Sequence, residues 1–184
     1  ELEQLIVNNK RKDKIGTFFL ESIIGCGGQV FLPKNFLKKA SNLLKKYGIL
    51  TIIDECQTGF GRLGYPYYWG YQENSGFDYE PDIVVMGKSI GNGFPLGAIV
   101  TTKEVIDGFK RNLNGMEYFN TFGGNPVSCA VGLTVLDIID KEKLDINARD
   151  VGNYMIKLFN ELKIYINNIP NNDAYTINPG STTE

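Results

Sequence analysis

The chain has 184 residues, of which 42% are apolar, 12% aromatic and 22% charged, with a formal net charge of −2. These values are ordinary for one or two globular domains, and they give no basic stripe that would predict a nucleic-acid partner. Histidine is absent, which excludes Ser-His-Asp and Cys-His nucleophile systems and the commonest zinc sites. The basic cluster at residues 10–14 is short and interrupted by Asp13, so we expect a solvated edge there.

The cysteines and the hydropathy indicate the compartment. Cys26, Cys56 and Cys129 are an odd number at wide spacing, which fits neither a disulfide framework nor paired metal ligands, so we expect reduced thiols and no metal. The start has no secretory pattern, and no apolar run approaches the length of about 18 residues that a membrane span needs. We therefore expect a soluble protein of the cytoplasm or the mitochondrial matrix.

The first half of the chain alternates between strand and helix patterns. Residues 17–20 form a β-prone run that ends at Glu21, and an amphipathic helical pattern follows Pro33 and stops near Gly48. Residues 49–53 are apolar except for one threonine, which predicts a strand covered on both faces. Strand, helix and strand at this spacing form a βαβ unit, so we expect an α/β fold with a mostly parallel sheet.

The rest of the chain begins with an irregular segment. Residues 57–80 are rich in glycine, aromatic and turn residues, a composition that predicts a long excursion of the kind used for function. Further strands are expected at 83–86 and 98–100. Three helices complete the prediction: a short one capped by Thr102, one from Asn125-Pro126 to about Ile139, and one from about Leu144 to Ile164.

A glycine pattern at residues 59–64 matches GxGxxG, which can mark a dinucleotide site after a strand. Such a site needs a helix that starts inside the motif and directs its N-terminus at a pyrophosphate. Residues 65–70, aromatic and containing a proline, cannot supply that helix, so a tight glycine loop is favoured. A nicotinamide-dependent oxidoreductase is the alternative that this pattern leaves open.

An acid and an amine stand at the ends of two predicted strands. Asp54 ends the strand at 49–53, and Lys88 follows the strand at 83–86. Each has a plain structural explanation, since Asp54 can cap a turn and Lys88 can extend to solvent. On parallel strands both would lie on one rim, and a pyridoxal 5'-phosphate site needs this pair: an amine to form the Schiff base and an acid to keep the pyridine nitrogen protonated. Glu55, on the opposite side of the strand, is expected to be structural.

Residues 120–126, Asn-Thr-Phe-Gly-Gly-Asn-Pro, place a hydroxyl group and two glycines directly before a predicted helix. Backbone N–H groups and the helix dipole at such a position favour a phosphate. A helix cap preceded by a glycine turn explains the same residues equally well.

Three segments in this order, residues 54–62, 81–88 and 120–126, resemble those of the class-III aminotransferases. The resemblance covers roughly residues 15–165. It implies a pyridoxal-phosphate-dependent transferase of fold type I, with part of its large domain present as a mostly parallel sheet flanked by helices.

The resemblance also implies roles for single residues. Lys88 would bind the cofactor covalently and carry protons, Asp54 would pair with the pyridine nitrogen, and Gln57 would hydrogen-bond the phenolic oxygen. Thr121 would reach the cofactor phosphate of a neighbouring subunit, which implies a homodimer. Glu21 would lie near the active site and is counted among the cofactor-binding residues.

Within the family, residues 21–29 and 115–119 are most similar to a branch of phospho-lyases that act on ethanolamine phosphate or phosphohydroxylysine, related to alanine–glyoxylate aminotransferase 2. Many ω-aminotransferases have a second glutamate where this chain has Cys26, and that glutamate pairs with a substrate-binding arginine. Its absence implies a specificity other than ornithine or γ-aminobutyrate, although a small buried filler explains Cys26 as well.

The family pattern sets the expected domains: 1–140 as a portion of the cofactor-binding large domain, 141–166 as an interdomain helix, and 167–184 as a loose or truncated tail without the small domain. The family's glycine/serine phosphate loop would precede the matched region, so we expect a fragment or a truncated gene product. The expected function is transamination of a small amine or amino acid. The alternatives are a phospho-lyase and an inactive fragment that binds a paralogue.

Overall fold

The computed structural model describes residues 1–9, 15–112 and 118–167, which form an α/β unit around a four-stranded sheet. The predicted basic cluster at 10–14, the stretch 113–117 and the tail beyond Asn167 lie outside the described residues. The strands are β1 (Thr17–Glu21), β2 (Ile23–Ile24), β3 (Val30–Phe31), β4 (Leu50–Asp54), β5 (Ile83–Met86) and β6 (Ala98–Thr101), of which β2 and β3 form a separate antiparallel hairpin.

The described helices are α1 (Leu2–Asn8), α2 (Phe36–Lys45), α3 (Gly70–Ser75), α4 (Lys103–Asn112), α5 (Pro126–Glu142) and α6 (Leu144–Asn167), and a single 3₁₀ turn spans Lys88–Ile90. Asn125 caps α5, since its side chain accepts a hydrogen bond from the backbone N–H of Ser128 at 2.9 Å. The range predicted as an interdomain helix, 141–166, is largely α6. Its place between two domains stays a prediction. No helix in the described ranges is both long and apolar enough to cross a membrane.

The sheet has the strand order β1-β4-β5-β6, with two parallel pairings and one antiparallel pairing. The crossover through α2 confirms the predicted βαβ unit. In the register, Glu21 lies beside Asp54, and Asp54 lies beside Val85. The carboxyl ends of β1, β4 and β5 therefore meet at one rim, and Lys88 follows directly beyond it.

One face of the sheet is buried. Ile53 of β4 packs with Leu37 of α2, and Val84 and Met86 of β5 pack with Ile139 of α5. Because Ile53 and Val84 are partners in the register, both helices cover the same face.

The opposite face is more open. It carries Ile52, which is half-buried, and Phe19 and Ile99, whose exposed fractions are 56% and 67%. The prediction that residues 49–53 are covered on both faces is therefore wrong for the described chain, because α2 and α5 both pack on the first face. Glu21 and Asp54 extend from the open face, where a ligand can reach them.

The segment 57–80 is less irregular than predicted, because it contains α3 and an aromatic cluster. Phe60 makes edge-to-face contacts with Tyr68 and Trp69, with ring centroids 5.8 and 5.1 Å apart. The side chain of Gln72 accepts hydrogen bonds from the backbone N–H groups of Tyr68 and Trp69, each at 3.0 Å. Residues 57–80 therefore form a packed segment next to the rim, which we call the wall.

Candidate active site

The carboxylate of Glu55 holds the wall against the end of β4. Glu55 has no exposed surface and accepts four hydrogen bonds: from Ser22 Oγ at 2.5 Å, from Thr58 Oγ1 at 2.7 Å, and from the backbone N–H groups of Gly70 and Tyr71 at 2.8 and 2.9 Å. These donors come from both sides of the strand end and from the start of α3. This environment agrees with the structural role expected for Glu55, because each of its carboxylate oxygens already accepts two hydrogen bonds within the protein.

Asp54 is held in a different way. Its Oδ1 atom accepts a hydrogen bond from the backbone N–H of Cys56 at 2.8 Å. The thiol of Cys56 also hydrogen-bonds this carboxylate. Asp54 is therefore oriented by Cys56 on the open face of the sheet.

Lys88 begins the 3₁₀ turn after β5 with a backbone φ of +42°. A left-handed conformation is uncommon for a residue other than glycine and persists where the surrounding structure holds it. The side chain is exposed and lines a cleft of about 400 Å³. We call this space the lysine cleft; it is lined by Cys56, Gln57, Arg62, Lys88, Ser89, Asn92 and Gly93.

The thiol of Cys56 lies where the charges of the rim act together. Burial, followed by the hydrogen bond and the negative charge of Asp54, raises the pKa of Cys56 from its ordinary value of 9.0 to about 11. The positive charge of Lys88 lowers the pKa of Cys56, and the negative charge of Glu21 raises it. Asp54, Lys88 and Glu21 are thus close enough to act on a single sulfur atom.

Gly25 allows the predicted site residues Glu21 and Gln57 to approach each other. Its backbone N–H donates to Glu21 Oε2 at 3.0 Å. A Cβ atom at this position would lie 2.5 Å from Gln57 Nε2 and 3.2 Å from Glu21 Oε2. Only glycine therefore leaves room for Gln57 and Glu21 to share this corner of the site.

Thr121 is not in the lysine cleft. It is exposed, in the turn of residues 121–124 directly before α5. The structure brings Glu21, Asp54, Gln57 and Lys88 to one rim, whereas the role of Thr121 toward a neighbouring subunit stays a prediction.

The glycines of the GxGxxG pattern serve packing. Gly61 and Gly64 have φ values of +75° and +86°. A Cβ atom at Gly61 would lie 2.8 Å from Asp145 Cβ, and one at Gly64 would lie 2.7 Å from Arg149 Cα. Both glycines therefore let the loop touch α6, and no helix starts inside the motif, which confirms the tight-loop interpretation.

Sequence reasoning assigned no role to Gly25, Cys56 or Arg62 in this site. Gly25 stands in a run with two further glycines, which is a signal for close backbone approach, but the partner across the fold is invisible in the sequence. Arg62 belongs to the resembling segment, yet nothing in the sequence indicates that it returns to the rim beside Lys88.

The rim can be compared with what pyridoxal phosphate requires. An exposed amine and an amide side chain line one open cleft, and the carboxylate of Asp54 lies at the adjoining end of β4. The donor set supplies covalent attachment, a partner for a protonated ring nitrogen and a donor for a ring oxygen. The residues present therefore fit this cofactor.

The fold and the rim are those of an α/β protein with a ligand cleft at the carboxyl ends of its strands. The family model for "Aminotransferase class-III" matches residues 1–172. The chain belongs to the class-III aminotransferase family.

Individual relatives agree with this membership. Human mitochondrial alanine–glyoxylate aminotransferase 2 is 48% identical over 149 residues, which are 81% of this chain and 28% of the human protein. A solved Arthrobacter phospholyase in complex with phosphoethanolamine is 37% identical, with a TM-score of 0.73 over 89% of this chain and 39% of that one. A solved ornithine aminotransferase from Toxoplasma gondii, described with partial occupancy of pyridoxal phosphate, is 30% identical, with a TM-score of 0.75 over 92% of this chain and 36% of that one. The chain thus spans less than half the length of each.

Proposed function

We propose that the chain provides the lysine-bearing part of a pyridoxal-phosphate site in a transaminase that acts on a small amine or amino acid. The observation that carries the proposal is the rim itself, where Asp54 ends β4 beside Val85 of β5 and Lys88, just past β5, lines a cleft together with Gln57. The parallel pairing of β4 with β5 and the Glu55 hydrogen bonds hold these groups in place before any ligand binds.

Pyridoxal phosphate, when bound, supplies an acceptor for the electrons left on a substrate carbon that loses a proton. Lys88 Nζ would hold the cofactor by a covalent bond. The carboxylate of Asp54 would accept a hydrogen bond from the protonated ring nitrogen, and the amide of Gln57 would donate to the ring's phenolic oxygen. The hydrogen bond from the N–H of Cys56 keeps Asp54 in position for that contact.

The same Nζ atom would act as a base once the amine substrate has displaced it. It would take the proton from the carbon that bears the substrate's amino group. Its exposure in the cleft and the glycine at position 93 leave space for that carbon to approach.

A phospho-lyase is the second candidate, and the likeness to the Arthrobacter phospholyase favours it. The first proton transfer would be the same. The two functions differ in the fate of the substrate: a transaminase would pass its amino group to an oxo-acid acceptor, whereas a phospho-lyase would eliminate the phosphate on the neighbouring carbon and release the amino group as ammonia.

Assembly and compartment belong to the proposal. We propose a homodimer in which Thr121 of one subunit contributes to the cofactor phosphate site of the other. The exposed turn that carries Thr121 is compatible with such a contact. As the compartment we propose the mitochondrial matrix rather than the cytoplasm, because the human relative is a mitochondrial protein.

Chemical trapping tests the cofactor site. The chain is incubated with pyridoxal phosphate, reduced with borohydride and digested, and the pyridoxyl group is located by mass spectrometry. We expect it on Lys88, and we expect its loss in Lys88→Ala but not in Lys46→Ala, which removes a lysine just after α2. Absence of an adduct, or scattered labelling of surface lysines, would instead support the inactive-fragment alternative.

Product analysis separates the two activities. With ethanolamine phosphate and no oxo-acid acceptor, a phospho-lyase releases inorganic phosphate on every turnover. A transaminase releases none, and it needs pyruvate or glyoxylate to turn over repeatedly. Steady phosphate release would therefore replace transamination by the second candidate.

A further inference from the structure

The turn that follows Lys88 contains an asparagine and a glycine with left-handed backbone geometry. Asn92 has a φ of +44° and Gly93 a φ of +95°. Glycine and asparagine adopt this region at the lowest cost, so the geometry of the turn explains why this pair stands here. Both residues line the lysine cleft together with Lys88.

An asparagine followed by a glycine is a chemically labile pair. The backbone nitrogen of the glycine can attack the side-chain amide carbon of the asparagine, and a residue without a side chain obstructs that attack least. The surroundings of Gly93 are open as well, because a Cβ atom added there would meet no atom of the described residues within 4 Å. Asn92 and Gly93 are both exposed, so water reaches the amide.

The hydrogen bonds of this turn are of the kind that opens readily. The backbone N–H of Asn92 is shared between two carbonyl oxygens, that of Lys88 at 3.1 Å and that of Ser89 at 3.2 Å. Exposed backbone hydrogen bonds in a short turn belong to the parts of a protein that open at a low cost in free energy. Opening allows the nitrogen of Gly93 to approach the side chain of Asn92.

Asn74, which precedes Ser75 in α3, is the opposite case within the same chain. Its exposed fraction is only 5%. Its Oδ1 atom accepts hydrogen bonds from the Leu37 N–H at 3.2 Å and from Ser75 Oγ at 2.8 Å. Its Nδ2 atom donates to the carbonyl oxygens of Leu32 and Pro33. Rotation of this amide would break these four hydrogen bonds, so its reaction requires local unfolding.

We propose that Asn92 is a site of spontaneous deamidation that limits the lifetime of the cofactor site. In the first step the nitrogen of Gly93 forms a bond to Cγ of Asn92, the Cγ–Nδ2 bond breaks, and the amide nitrogen leaves as ammonia with the proton of the Gly93 N–H. In the second step water opens the five-membered ring and leaves either aspartate or isoaspartate at position 92. Water is the only other reactant.

The product changes the lysine cleft in two ways. It adds a negative charge to the space in which Lys88 would receive a cofactor that carries a phosphate, and like charges repel. Isoaspartate also lengthens the backbone by a methylene group in the turn whose N–H is bonded to the Lys88 carbonyl oxygen, which displaces the lysine. The chemical step is independent of the proposed function, whereas its effect on the cofactor rests on it.

Ageing of the folded protein tests the chemical step. The 184-residue chain is incubated in a mildly alkaline buffer, digested and mapped by mass spectrometry, with enzymatic methylation to detect isoaspartate. We expect Asn92 to deamidate at least about tenfold faster than Asn74, because only Asn74 must first unfold locally. A synthetic peptide of residues 88–97 gives the rate without the fold. An Asn92 that stays intact while the peptide converts, or that reacts no faster than Asn74, would overturn the proposal.

Separation of the aged chains tests the effect on the site. The chain has a second Asn-Gly pair at residues 114–115, outside the described residues, so Asn114→Gln serves as the background and the acidic fraction reports on Asn92. Both fractions receive limiting pyridoxal phosphate and borohydride, and the pyridoxyl group on Lys88 is quantified by mass spectrometry. We expect about 3- to 10-fold less adduct in the deamidated fraction than in the unmodified one.

Two variants of residue 92 separate the causes. Asn92→Asp has the new charge but not the longer backbone, so its adduct level should fall between those of the two fractions. Asn92→Gln closes a ring much more slowly, so during ageing it should keep the adduct level of its own fresh sample.

Equal adduct in the two fractions would overturn the effect on the cofactor site. A decline in Asn92→Gln as large as in the Asn114→Gln background would assign the ageing to another residue and would overturn it too. If the fresh chain gives no adduct on Lys88, the proposed function and the effect on its site fail together, while the ageing measurement still decides whether Asn92 deamidates.

Discussion

At the scale of single residues, the thiol of Cys56 gives a pH-dependent signature of the site. The folded protein keeps this thiol protonated up to a pKa of about 11, because of burial and of Asp54, whereas the unfolded chain releases the proton near its ordinary pKa of 9.0. Between these values the unfolded state binds fewer protons than the folded state, so the free energy of unfolding falls as the pH rises.

We therefore expect the free energy of unfolding to decrease more steeply between pH 9 and pH 11 in the unchanged chain than in Cys56→Ser. Urea unfolding at about pH 8.5 and at about pH 10.5 measures the difference. The tyrosines contribute equally to both proteins, so they cancel in the comparison. Parallel curves for the two proteins would mean that folding does not raise the pKa of Cys56.

Glu55 makes a second prediction at this scale. Glu55→Ala leaves two hydroxyl and two backbone N–H donors in a buried position without an acceptor, so we expect a loss of about 3–5 kcal/mol in the free energy of unfolding. Urea unfolding at constant pH measures it. Glu80→Gln, which changes an exposed glutamate five residues after α3, should alter the value by less than about 0.5 kcal/mol.

At the scale of elements, the sequence predicts those parts of the fold whose side chains repeat at a clear period. The strand expected at Ile83–Met86 is present, because four apolar β-prone residues are bounded by turn signals. The helices after Thr102 and Asn125 begin where the caps predict, with Thr102 Oγ1 accepting from the Val105 N–H at 3.4 Å.

Other elements escape prediction for a physical reason. The helix Gly70–Ser75 is only six residues long, begins with a glycine and is followed by another, and is held by Gln72 and the buried Glu55. Its local propensity is therefore weak, and tertiary contacts decide its conformation. The same holds for the site. Asp54 and Lys88 could be predicted because each stands at the end of a predicted strand. The position of Arg62 beside Ser89 depends on tertiary contacts that no local pattern contains.

The glycine loop makes a prediction at the level of element packing. Gly64→Ala introduces a Cβ atom 2.7 Å from the backbone of α6 at a φ of +86°, so we expect a loss of about 2–4 kcal/mol in the free energy of unfolding. Gly48 also has a positive φ, +67°, but open space around it, so Gly48→Ala should cost only about 1 kcal/mol.

A third variant calibrates the comparison. Gly152 lies in α6, and a methyl group added to its Cα atom would meet no atom within 4 Å, so Gly152→Ala should stabilise the helix by up to about 1 kcal/mol. Urea unfolding of the three variants separates backbone strain, steric contact with α6 and helix propensity. Equal effects of Gly64→Ala and Gly48→Ala would remove the contact with α6 as the reason for this glycine.

At the scale of the whole molecule, the question is whether one subunit completes the site of another. Both the open face of the sheet and the exposed turn before α5 are accessible to a second subunit. In the proposed dimer each site takes Lys88 from one subunit and Thr121 from its partner. Lys88→Ala and Thr121→Val therefore damage the same site from opposite subunits, and two-fold symmetry makes the consequence countable.

Each variant alone should bind little pyridoxal phosphate at limiting cofactor concentration, since Lys88→Ala lacks the attachment point and Thr121→Val lacks a phosphate contact. After unfolding and joint refolding, half of the dimers pair the two variants, and one site in each of these is intact. About one quarter of all sites should then hold cofactor on Lys88 after borohydride reduction, against the low level of Thr121→Val alone. Recovery must appear only after subunit exchange. A mixture that yields no more adduct than the average of the separate variants would show that Thr121 acts within its own subunit or not at all.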